Sequence, residues 1–121
     1  MPDIIDLRTK KCVPCEGGVA PFSETQSKEM LAQVSRTWNL VGKKIGADFK
    51  FKDFKEAMAF INKVADLAET EGHHPDIYVS YNKVRLELWT HAIDGLSEND
   101  FILASKIDEI IEKIESGESL K

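Results

Sequence analysis

Thiols are scarce in this 121-residue chain, whose two cysteines, Cys12 and Cys15, form one Cys-Val-Pro-Cys pair. A structural zinc site takes four ligands, usually from two such pairs, and no second cysteine pair exists. Thioredoxin-like pairs open a helix after a strand, whereas Glu16-Gly17-Gly18 follows here. The pair therefore reads as reduced thiols in a flexible lead-in. Long apolar runs are missing too: nothing approaches the ~20 residues that span a bilayer. Met1 to Lys11 scatters Asp3, Asp6, Arg8, Lys10 and Lys11 among its apolar residues, unlike a signal peptide. Basic charge is in deficit, with 16 Lys+Arg against 21 Asp+Glu for a net −5, which argues against a general nucleic-acid binder. The expectation is a soluble cytoplasmic protein with neither membrane nor nucleic acid as partner.

What is present is ordinary globular composition, 42% hydrophobic and 31% charged. A chain of this length folds as one domain and buries roughly two thirds of its extended surface. Three helices are announced by N-cap spacing: Ser23 with Gln26, Asp53 with Glu56, and Ser97 with Asp100. Leu96 and Phe101 add a hydrophobic staple to the third. The first helix is expected over 24–37, with Met30, Leu31 and Val34 on its apolar stripe. The second, over 54–70, carries Phe54, Ala57, Met58, Ile61, Val64, Ala65 and Ala68 on one face. The third, over 98–115, carries Leu103, Ile107, Ile110, Ile111 and Ile114.

Alternating residues supply strands to cover. Trp38 and Leu40, then Phe49 and Phe51, flank Gly46 as a plausible hairpin turn. Ile77, Val79 and Tyr81 run up to Asn82-Lys83, and Val84, Leu86 and Leu88 run away from it, a tight hairpin with positive φ. The order α-β-β-α-β-β-α suits an α+β fold, a four-stranded antiparallel sheet with three helices on one face. Residues 1–21 are expected to be the flexible lead, 22–115 the single domain and 116–121 a frayed tail.

The chemistry is concentrated in His73, His74 and His91, all three histidines of the chain, within 19 residues. Gly72 ends the second helix and Pro75 holds His74 extended, so His73 and His74 point to opposite sides unless the loop curls. Imidazole titrates near pH ~6.5, which suits metal-free acid–base chemistry. A three-histidine metal site is the competing arrangement, with Glu69, Asp76, Asp94 or Asp100 as supporting carboxylates. Three unrelated histidines are the third. Spacing alone does not choose among them.

The blocks Glu69-Thr70-Glu71-Gly72-His73-His74-Pro75, Tyr81-Asn82-Lys83-Val84, Thr90-His91 and Gly95-Leu96-Ser97-Glu98-Asn99-Asp100, at these separations, resemble the signature of the pterin-4a-carbinolamine dehydratases. The likeness extends over about 22–115, including Trp38 and Phe51-Lys52-Asp53-Phe54. The resemblance implies the fold already derived and a dehydration of 4a-hydroxytetrahydropterin to the quinonoid dihydropterin, with no metal or organic cofactor. By the same resemblance His73 and His91 carry the proton transfers, His74 assists, Asp100 supports the site, and Glu69 and Thr90 contact the pterin. It further implies a homodimer or homotetramer and a functional link to an aromatic amino acid hydroxylase. Some members also act as a dimerisation cofactor of a homeodomain transcription factor, which makes an interaction module the alternative to an enzyme. The chain departs from the family pattern at Thr37, where a glycine is common, at Gly72, where some relatives carry an acid, and at Trp89, where a small residue often precedes Thr-His.

Overall fold

Two of the three capping signals form as spaced. In the computed structural model, which describes residues 7–12 and 20–115, α1 (Glu24–Leu31) opens with a full capping box between Ser23 and Gln26. Helix α2 (Phe54–Glu71) opens with the Asp53 carboxylate accepting from the Glu56 N–H at 2.9 Å. Helix α3 (Glu98–Glu115) is capped the other way round. The Ser97 N–H donates to Asp100 Oδ2 at 2.9 Å, and the Ser97 hydroxyl is engaged with Thr90.

Four strands, β1 (Asn39–Val41), β2 (Lys44–Lys50), β3 (Asp76–Ser80) and β4 (Lys83–Leu88), form an antiparallel sheet in the order β1-β2-β4-β3. The α+β class and element order are those expected. Alternation on β2 and β4 puts Ile45, Ala47, Val84, Leu86 and Leu88 on one buried face. Phe101, Leu103 and Ile107 of α3 and Phe60 and Val64 of α2 complete the core over it.

Local details depart from the expectation. The first hairpin turns at Gly42-Lys43, not Gly46: Gly42 takes φ +61, whereas Gly46 lies inside β2 beneath the Arg85 guanidinium. The second turns at Tyr81-Asn82, with Lys83 already paired to Ser80 and the positive φ (+52) on Tyr81. Asn82 instead ties the turn to the end of β2, its Nδ2 donating to Phe51 O at 2.9 Å. Helix α1 stops at Leu31 rather than Thr37 because the chain beyond it is captured from outside. Asp108 accepts from the Ser35 N–H, the Ser35 hydroxyl and the buried Trp38 Nε1 at 2.8–2.9 Å. On α2 the stripe is rotated: Phe60 is buried at its centre, while Phe54 and Ala65 are exposed. Ile77 and Val79 face the helix side of the sheet but stay exposed, since β3 is the edge strand and the helices lie over its neighbours.

The described part of the lead is packed. Leu7, in the short turn Leu7–Thr9, is 2% exposed among core residues, and Arg8 and Lys10 pair with Glu112 and Glu98 of α3. Cys15 and residues 116–121 lie outside the described residues.

Candidate active site

Three chain segments converge at one end of α3. The first is the end of α2, where Gly72 adopts φ +68 and the N–H groups of Gly72 and His73 both bond to Ala68 O. The second is the chain beyond β4, where Thr90 bridges Gly95 and the turn His91–Ile93 reverses direction, with Asp94 at φ +50. The third is the first turn of α3 itself. Between them lies an open cleft of about 420 Å³ walled by His73, His74, Trp89, Thr90, His91 and Asn99.

Asp100 lies at the back of this cleft, fully buried, with both carboxylate oxygens engaged. Oδ1 meets His73 Nε2 at 2.6 Å, and Oδ2 accepts from the Thr90 hydroxyl at 2.8 Å and from the Ser97 N–H. An ionised carboxylate only accepts, so His73 Nε2 carries a hydrogen and, in the neutral ring, Nδ1 keeps the lone pair. The single Thr90 proton goes to Asp100, so in the 2.7 Å Thr90–Ser97 contact the Ser97 hydroxyl donates. These bonds fix the His73 ring, the Thr90 side chain and the start of α3 to one another.

His74 turns the other way, as its extended backbone requires, and pairs with Glu69 at 2.5 Å, both side chains well exposed. Glu69 therefore stands beside the cleft, attached through His74, and is not part of its wall. His91 is exposed, its ring against that of Trp89 with centroids 3.9 Å apart. The sequence thus brings His73, His74, Thr90 and His91 to one opening, with Asp100 beneath. It did not single out Asn99 as a wall residue or Ser97 as a hydroxyl donor to Thr90. The Ser97-x-x-Asp100 spacing carried that signal, but it reads first as a helix cap.

Behind the site, Glu71 is held by Lys106 at 2.8 Å and by the Cys12 N–H at 2.9 Å. Burial opposes its charge, but these bonds outweigh it and keep its carboxyl below the usual range. Burial also pushes the Cys12 thiol up to about 12, with Glu71 adding to the effect, so Cys12 is a protonated thiol at neutral pH. Among the described residues no group of three or more His, Cys, Asp or Glu is placed to hold a metal ion.

An αββαββα fold with His73, His74 and His91 lining one cleft at its end defines a small α+β protein with a histidine-lined opening. The model of the family described as pterin 4 alpha carbinolamine dehydratase matches residues 20–110. A Nitrosomonas eutropha protein provisionally named pterin-4-alpha-carbinolamine dehydratase is 47% identical over 111 residues, covering 92% of this chain and 98% of its own. One from Nitrosospira multiformis, with the same provisional name, is 50% identical over 109 residues, covering 90% and 96%. The crystal structure of a transcriptional coactivator/pterin dehydratase from Brucella melitensis superposes with a TM-score of 0.70 at 35% identity, covering 74% of this chain and 97% of that one. A pterin dehydratase-like protein described as a RuBisCO assembly factor of the alpha-carboxysome shares the fold, with a TM-score of 0.55 at 24% identity over 69% and 94% of the two chains. The chain belongs to the pterin-4a-carbinolamine dehydratase family.

Proposed function

We propose that the protein dehydrates 4a-hydroxytetrahydropterins such as 4a-hydroxytetrahydrobiopterin, as a hydro-lyase in tetrahydrobiopterin recycling. In this reaction the C4a–O bond breaks and the N5–H proton leaves, giving the C4a=N5 bond of the quinonoid dihydropterin and one water. The step needs one group to protonate the departing hydroxyl and one to accept the N5 proton, which two imidazoles near neutral pH supply. The observation that carries this reading is the placement of His73 and His91 on one cleft, with the His73 tautomer set by buried Asp100. His73, with Nδ1 free to accept, and His91 carry the transfers. His74 contacts the pterin's polar edge with Glu69 holding its ring, and the Thr90 hydroxyl binds while helping to orient Asp100. The domain over 22–115 suffices for this site, with no cofactor.

The test is conversion of a freshly generated 4a-hydroxytetrahydropterin by the purified protein before and after exhaustive chelation. Turnover that survives chelation supports the reading, and turnover lost with metal and restored by it would replace it with the metal-dependent alternative.

The exposed Ile77, Tyr78 and Val79 of edge strand β3, with Tyr81 in the turn that follows, favour self-association into a homodimer or homotetramer. Size-exclusion with light scattering checks this, and a monomer at micromolar concentration contradicts it. A link to an aromatic amino acid hydroxylase and a cytoplasmic location complete the reading. Among the described residues no helix is long and apolar enough to cross a membrane.

A further inference from the structure

His73 and His91 are held in different ways. A carboxylate grips His73 from behind, whereas the His91 side chain has no hydrogen bond among the described residues. The His91 ring rests on Trp89, the planes inclined by 34°. Trp89 is itself secured from two strands: its Nε1–H donates to Asp76 Oδ2 of β3 at 3.3 Å, and Lys44 Nζ of β2 stands 5.3 Å from its ring centroid. Lys44 is anchored in turn by Glu87 of β4 at 3.4 Å. Trp89 lies one step beyond the Ile45–Leu88 pair of the sheet, so its indole sits where the ends of three strands meet. Past it, the turn at 91–93 doubles the chain back and returns the imidazole to that indole.

We propose that Trp89 is the positioning residue of His91, holding by ring contact an imidazole that no hydrogen bond orients. An aromatic face suits this task because it attracts the imidazolium as well as the neutral ring, so the contact persists in both protonation states of a group that must gain and lose a proton. Without the indole, an exposed histidine samples several rotamers, and misplacement of a proton-transfer group slows the chemical step without weakening substrate binding. The kinetic consequence rests on the dehydratase reading. The ring contact does not.

Two readouts separate these. In the wild-type protein, the imidazole C–H resonances that vanish in His91→Gln should lie upfield of an exposed histidine, displaced by the indole ring current. In Trp89→Ala they should move to the exposed position, and in Trp89→Phe they should stay largely displaced, with the His73 resonances unmoved in both. Kinetically, Trp89→Ala should lower kcat by about tenfold while KM changes less than about twofold, and Trp89→Phe should recover most of the loss. Wild-type His91 resonances at the exposed position would overturn the proposal, whether or not Trp89→Ala folds. So would a raised KM at unchanged kcat, which would make Trp89 a substrate contact. An inactive wild-type protein would refute the dehydratase reading instead, while the resonance comparison would still decide the role of Trp89.

Discussion

Asp100 joins the two arms of the cleft: one carboxylate oxygen fixes His73, and the other takes the Thr90 hydroxyl and the first N–H of the α3 cap. Replacing it by Asn keeps the shape but leaves one acceptor where two faces each need one. Either His73 or the Thr90–Ser97 pair then meets an N–H₂ donor. Asp100→Asn should cut turnover by about 10²-fold, the scale of a lost acid–base group, while the protein still folds. A kinetic assay beside a melting curve checks both halves. At this scale the sequence was informative about identity and silent about orientation. His73, His74 and His91 stood out as the chain's three histidines and Asp100 as a helix-cap or supporting carboxylate, while Thr90 entered through the family resemblance. That Glu69 meets the cleft only through His74, and that Trp89 carries the His91 ring, depends on how the chain turns after β4, which the alternation of that strand does not encode.

Among the elements, α2 does most to place the site, because its left-handed ending delivers His73. Gly72 has open space around it, so Gly72→Ala meets no clash, and its cost is the strain of φ +68 on a residue with a Cβ. About 1 kcal/mol of stability should be lost in denaturant titration, with a larger fractional loss of turnover if His73 shifts. The middle of the same helix is more sensitive. Phe60 is fully buried, with ring centroids 5.1 and 5.0 Å from Phe49 and Phe51, so Phe60→Ala should cost about 3–5 kcal/mol. Phe60 was not on the stripe read from the sequence. A helix of apolar residues as closely spaced as these offers two overlapping faces, and the choice fell to Phe49 on β2 and Phe51 just beyond its end. Likewise the early end of α1 has no local cause. It follows from Asp108, more than seventy residues away, taking the Ser35 and Trp38 donors.

For the molecule as a whole, Glu71 links the N-terminal segment, α2 and α3 through Cys12 and Lys106. Its folded carboxyl lies below its ordinary value, so the stability it contributes is present above pH 4.5 and is lost as pH falls below that. Glu71→Gln should therefore weaken the fold by about 1–3 kcal/mol at neutral pH and show a shallower loss on acidification than the wild type. Asp108 acts with the opposite sign. Burial raises its folded carboxyl above 3.8, so its contribution is greatest in acid and declines as pH rises past that value. Urea titrations across pH 3 to 7 would read both slopes.

Whether His73 and His91 share one proton-transfer chemistry at one cleft is read from the rate at which His73→Ala and His91→Ala dehydrate a 4a-hydroxytetrahydropterin. Each should fall by about 10²-fold or more relative to the wild type, with folding retained. Near-wild-type turnover in either variant would contradict it.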